Sequence, residues 1–161
     1  MDAVRVSPTG LPSAEEIDQV AALLGRHPAV YFEVVVVDGG GDPVVIRNRP
    51  IMNDGRPMPT RYWLVGRDLS RQVARLEGEG GVRIAEASVD GGELAAAHER
   101  YAAERDAQIP EGHFGPRPAG GVGGTHMGVK CLHAHLAHHL AVGNDPVGAW
   151  VVEQLEADRS A

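Results

Sequence analysis

The segment Gly128–Leu140, GVKCLHAHLAHHL, concentrates four histidines and the only cysteine of the chain. Wound as a helix at about 100° per residue, it places Val129, Leu132, Leu136 and Leu140 on one arc, with His133 inside that arc. Cys131, His135, His138 and His139 fall on the opposite side, where Cys131/His135 and His135/His139 are spaced i,i+4 and His135/His138 i,i+3, the spacings at which helix side chains face each other. Imidazoles and a thiol on one stripe are ligands for a borderline metal, so Cys131, His135, His138 and His139 are the metal candidates and zinc is the cofactor such a set would take. The phase of the helix predicts that His133 is buried and hydrogen-bonded and that His135 and His139 are exposed. A stripe of solvated histidines is the other reading, and no H-E-x-x-H or C-x-x-C spacing separates the two.

A second chemistry is suggested next to this helix. Pro110–Thr125 is a long Gly/Pro segment ending in GGVGG, similar in composition to a phosphate-cradling loop but without its G-K-[ST] ending. Because it leads into the histidine-rich helix, whose free amides and dipole favour an anion, the helix start is a candidate anion site with Lys130 at hand. Glu93–Gln108 has the strongest intrinsic helix propensity in the chain and puts His98, Tyr101 and Arg105 in a narrow arc. Lys130, Arg105, Tyr101 and Arg61 are therefore the ligand-binding candidates, and His98, His133, His138 and Cys131 the candidates for acid/base or nucleophilic work. Taken singly, Arg105, Glu99 and Asp106 read as solvated helix charges and Tyr101 as core.

The elements that must hold these groups are legible in outline. Ser13 and Glu16 form a capping box, followed by an apolar stripe of Ile17, Val20, Ala21 and Leu24 that stops at Gly25. Val30–Val37, VYFEVVVV, has the composition of a central strand buried on both faces. Asp38–Asp42, DGGGD, turns the chain, and Pro43–Asn48 pairs back as a hairpin. Arg47–Met58 gathers arginines on an exposed loop where a binding site can be hung. Thr60–Val65 is a third strand, Asp68–Leu76 a helix, Val82–Ala87 a short strand, and Gly143–Gly148 a cap and turn leading to a last amphipathic helix with Trp150, Val151 and Leu155 inward. The fold class that follows is α+β: a small antiparallel sheet of three to four strands covered by helices, with a helical C-terminal half. Residues 1–12 read as a flexible arm, 13–157 as one domain containing the 110–125 loop, and 158–161 as a frayed end.

With 161 residues and 43% hydrophobic content, the chain is long enough for a single packed domain. Its net charge of −7 and pI near 5.5 oppose a general nucleic-acid or acidic-membrane binder, Arg47, Arg49, Arg56 and Arg61 being a local exception. One cysteine forms no internal disulfide, no apolar run matches a signal peptide or a membrane span, and a cytoplasmic location is expected.

Taken together, Leu24–Pro28 (LGRHP), Asp54–Leu64 (DGRPMPTRYWL), Ala97–Ala107 (AHERYAAERDA), Val129–His138 (VKCLHAHLAH) and Asn144–Gly148 (NDPVG) resemble the actinobacterial family catalogued as domain of unknown function 501 (DUF501). The resemblance spans about Leu24 to Gly148. It carries over to Pro59, Thr60 and Tyr62, to His98, Glu99, Tyr101, Arg105 and Asp106, to Lys130, Cys131, Leu132, His133 and His138, and to Asn144, Pro146 and Gly148. His135 and His139 lie outside that pattern, and without His135 a metal cannot bridge Cys131 and His138, which are roughly 10 Å apart along a helix. Many members of the family carry cysteines where this chain has Val37–Gly41 and Val65-Gly66. A zinc site built on them is lost here or rebuilt from Asp38, Asp42 and histidines. The resemblance implies small cytoplasmic proteins encoded near a septum-formation protein and an exopolyphosphatase.

Three functions follow as expectations: a pocket for a small anionic ligand between the long helix and the histidine-rich helix, a non-catalytic protein that binds a protein partner in division or envelope processes, and a metal-binding protein. Neither nucleic acid nor membrane is expected as a partner.

Overall fold

Ser13 Oγ accepts the Glu16 amide and the Glu16 carboxylate accepts the Ser13 amide, so helix α1 (Ala14–Leu24) starts where its capping box requires. It ends at Gly25, whose left-handed φ of 70° lets its amide close onto Ala21. The computed structural model describes residues 3–7 and 10–161. Four strands, β1 (Arg5–Val6), β2 (Phe32–Val37), β3 (Pro43–Asn48) and β4 (Tyr62–Leu64), form one antiparallel sheet in the order β1-β2-β3-β4. The hairpin turn between β2 and β3 is held by Asp38 Oδ1, which accepts the Gly40 and Asp42 amides.

β2 is an interior strand buried on both faces, as its β-branched run predicts. Val34 packs with Val20 of α1, whereas Val36 packs into a helical layer with Val73, Leu132, Leu136 and Val151. That layer consists of α2 (Arg67–Gly78), α3 (Gly81–Ser88), α4 (Gly91–Asp106), α5 (Leu132–Val142) and α6 (Pro146–Ser160). The architecture is α+β, with α1 on one face of the sheet and the C-terminal helices on the other. No helix among the described residues is long and apolar enough to cross a membrane.

Beyond shifts of one or two residues at element ends, four features differ from the sequence reading. Val82–Ala87 is no strand: it belongs to α3, where Gly81 and Ala85 form the buried i,i+4 stripe and Ile84 points to solvent. The histidine-rich helix begins at Leu132 instead of Gly128, because Cys131 is extended, with φ −150° and ψ 120°. Within the expected N-terminal arm, Arg5–Val6 pairs with β2, and the parts of that arm at positions 1, 2, 8 and 9 lie outside the described residues. The C-terminal residues read as frayed continue α6 to Ser160.

Candidate functional site

α5 is the element around which the polar interior is built. It packs against β4 on one side and α6 on the other, and touches α2 as well, so it is enclosed almost all round. This overturns the predicted exposure of His135. Both His135 and His138 are buried, at 1% and 3% exposure, while His133 is half-buried. The solvent face assumed for the stripe is the face that meets α4 and α6. His139 is half-buried too, with a Nδ1 atom that is buried and has no partner among the described residues.

The buried histidines converge on Asp145, the N-cap of α6. Asp145 Oδ2 accepts from His135 Nδ1 at 2.8 Å and from His138 Nδ1 at 2.9 Å, and Oδ1 accepts the Gly148 amide at 2.9 Å. Burial alone would raise the Asp145 carboxyl, but the hydrogen bonds from His135, His138 and Gly148 outweigh it and hold the group well below the ordinary carboxylate range. The helices come this close because residue 148 is glycine: a Cβ there would lie 2.3 Å from His139 Cβ. His138 is stacked on Tyr62 and edge-on to Tyr101, with centroids 5.7 and 5.0 Å away. Of the metal candidates, His135 and His138 thus spend their Nδ1 atoms on a carboxylate. Cys131 stands outside the helix and apart from that pair.

His98, Tyr101 and Arg105 do share one face of α4, and that face points inward. The Val122 amide donates to His98 Nδ1, which leaves the proton on Nε2 to reach the Gly128 carbonyl at 2.9 Å. Burial lowers the His98 pKa below its usual value and keeps the ring neutral. The fully buried Tyr101 hydroxyl accepts the Arg61 and Tyr62 amides, and burial pushes it up to about 12. Arg105, at 1% exposure, donates to the carbonyls of Pro59 and Gly120 and pairs with Asp106. The Gly/Pro segment is therefore fastened to α4 by side chains supplied from the helix. A Cβ at Gly121 would lie 2.5 Å from His98 Cβ, so only glycine lets the loop sit there.

The Leu132 amide donates to Glu77 Oε1 at 2.7 Å and the Val129 amide to Glu86 Oε2 at 3.1 Å. Carboxylates of the protein itself already occupy the entrance of α5, where an anionic ligand was expected. In the GGVGG turn, the amides of Gly121, Val122, Gly124 and Thr125 are bonded within the fold, to Thr125, His98, Gly121 and Val122. Lys130 is exposed and lines a cavity of about 190 Å³ with Cys131, His133, Thr60 and Tyr62. Asp38 and Asp42, the expected substitutes for family cysteines, line a different cavity together with Gly66.

Two groupings remain that carry chemistry. One is the set Glu77, Cys131 and His133, whose ligand atoms lie within 4.8 Å of one another. The hydrogen bond to Cys131 is the main influence that pushes the His133 pKa up to about 9, with Glu77 and Ser70 reinforcing it against burial. The other is a cavity of about 320 Å³ walled by Arg47, Arg49 and Arg61 with Tyr31, Glu33 and Gln108. Arg61 also donates to the Asn48 carbonyl and reaches Glu104, and Arg47 pairs with Glu33. Arg49 lies over the Tyr31 ring, 5.0 Å from its centroid, and no carboxylate among the described residues pairs with it. The sequence pointed to the arginine loop but gave no sign that the Tyr31 ring would complete it.

Fold and polar interior define an α+β protein in which one enclosed helix is wired by buried hydrogen bonds to its neighbours. The chain matches the family described as Protein of unknown function (DUF501) over residues 34–153, and it belongs to that family. No curated protein and no solved structure matches it.

Proposed function

We propose that the protein binds a small anionic ligand, a carboxylate or phosphate ester, in the cavity walled by Arg47, Arg49 and Arg61. The observation that carries this reading is Arg49: in a chain of net charge −7, its guanidinium is stacked on the exposed Tyr31 ring, beside two further arginines, without a carboxylate partner among the described residues. A stacked guanidinium keeps its edge available for a bidentate contact to an oxyanion. The cavity is at the lower end of the size that small-molecule sites have. Of the four ligand-binding candidates from the sequence, Arg61 takes part here; Tyr101 and Arg105 support the scaffold, and Lys130 lines the other cavity.

Calorimetric titration of the protein with inorganic phosphate, phenyl phosphate and benzoate tests the reading. Saturable binding at millimolar concentrations or below, weakened by added salt, is the expected result; no heat from any of the three would remove the proposal.

One observation favours a protein partner as the second reading. Phe114, in the Gly/Pro segment, is 100% exposed and Met127 86% exposed. Large apolar side chains on a loop held in place by α4 are suited to insertion into a partner. Loss of complex formation on Phe114→Ala, with unchanged stability, would be its signature.

A further inference from the structure

Three side chains from two distant stretches of the chain meet at the entrance of α5. Glu77 comes from the last turn of α2, Cys131 immediately precedes α5, and His133 lies in its first turn. Each arrives with its orientation already set. Cys131 occupies the N-cap position in an extended conformation, and its side chain caps nothing. Glu77 is anchored by the Leu132 amide at 2.7 Å. His133 Nε2 lies 3.0 Å from the Ser70 carbonyl, an acceptor only, so Nε2 carries a proton, while Nδ1 points at Glu77 Oε1 at 3.2 Å, where a bound metal would take the place of the Nδ1 proton. Metal-binding imidazoles are oriented in this way, the outer N–H on a carbonyl and the inner lone pair toward the ion.

We propose that Glu77, Cys131 and His133 form a binding site for a zinc-class divalent transition metal. The separations suit one ion. Two ligands each about 2.0–2.1 Å from a tetrahedral zinc stand about 3.3 Å apart, close to the 3.2 Å between His133 Nδ1 and Glu77 Oε1. One sulfur, one nitrogen and one oxygen match a borderline ion such as zinc or cobalt(II), and do not match calcium or magnesium, which take oxygen ligands. Only three protein ligands are present in the set. Cys131 and His133 both line the cavity of about 190 Å³ that also holds Lys130, Thr60 and Tyr62, so a fourth position has room for water or an exogenous ligand. Three protein ligands plus an open position is the pattern of a reactive rather than a purely structural zinc site. The inference is independent of the arginine cavity, with which this one shares no lining residue.

The test is titration of tag-free, chelator-treated protein with cobalt(II), read by absorbance. The expected result is one equivalent bound, with visible bands of tetrahedral intensity and a near-ultraviolet thiolate-to-cobalt charge-transfer band, all displaced by zinc. Cys131→Ser removes the charge-transfer band. His133→Ala weakens cobalt binding by at least the roughly 10–100-fold that loss of an outer-shell partner costs. Glu77→Gln also weakens it while its amide oxygen still accepts the Leu132 amide, which keeps the test valid if larger changes perturb the fold. Substituting the exposed His126 with alanine leaves binding unchanged. Absence of cobalt binding, binding to wild type without the charge-transfer band, or a charge-transfer band that survives Cys131→Ser would each overturn the proposal.

Discussion

Asp145 holds His135 with both carboxylate oxygens, at 2.9 and 2.8 Å, in an interior where the ring is 1% exposed. The same carboxylate takes His138 and caps α6, so a single side chain joins two helices at three points. Asp145→Ala leaves two buried imidazole N–H groups and one amide without their acceptor. At about 1–3 kcal/mol for each stranded buried donor, the substitution should lower unfolding free energy by about 3 kcal/mol or more in urea titration. A loss below about 1 kcal/mol, the net worth of one ordinary hydrogen bond, would show that the network is not holding the helices together.

The direction of two pKa shifts predicts a staged acid response. His98 titrates below its usual 6.5 in the folded chain, so the unfolded chain takes up the proton first as the pH falls. Its contribution is fully present above about pH 6.5 and is lost below it, down to the folded value. Asp145 is likewise depressed, and its contribution is present above about pH 4 and lost as the pH falls further toward the folded value. Urea midpoints measured from pH 7.5 to about 2.5 should fall in these two windows, and His98→Asn should flatten the first. An unchanged slope between pH 6.5 and 5 in that variant would contradict the assignment to His98.

Tyr101 and Tyr62 make a matched pair of phenols with unequal roles. Tyr101→Phe removes the acceptor for two buried amides, those of Arg61 and Tyr62, and should cost about 2–4 kcal/mol. Tyr62→Phe removes one bond donated to the half-buried Glu104 and should cost about 1 kcal/mol. Equal losses by thermal denaturation would mean that Tyr101 is held mainly by packing.

Features governed by local rules were readable from the sequence. The Ser13–Glu16 box, the Gly25 stop, the Asp38 turn and the buried β2 each depend on a few neighbouring residues, and the structure has all four. Val82–Ala87 reads as a strand because Val82 and Ile84 carry β-branched side chains in alternation. Between Gly81 and Ala85, however, a small-residue stripe seats a short helix against the core. The histidine stripe failed for a different reason. An amphipathic projection assumes that one side faces water, whereas α5 is covered on both, and the acceptor for its histidines lies ten residues beyond His135, in the cap of another helix. The signal that existed was compositional: Ala134, Ala137 and Gly148 are the small residues that allow close helix contact. Glu77 could not be found from sequence, since nothing local links the end of α2 to Cys131.

Arg105 shows how charge alone misleads. In the sequence it reads as a ligand-binding cation, whereas in the fold its guanidinium donates to the Pro59 and Gly120 carbonyls. Arg105→Met should therefore lower stability by about 2 kcal/mol, because it strands two half-buried carbonyls, and should leave anion affinity in the surviving folded protein unchanged. Calorimetry beside a denaturation curve separates the two effects.

The central claim, an anion site in the arginine cavity, is tested most directly by titrating phenyl phosphate into wild type and Arg49→Ala. The substitution is on an exposed side chain and should leave the denaturation midpoint in place. The predicted result is a loss of about 1.5–3 kcal/mol in binding free energy, the range for a hydrogen bond to a charged group, with Lys130→Ala binding as wild type. Equal affinity in wild type and Arg49→Ala would contradict the account.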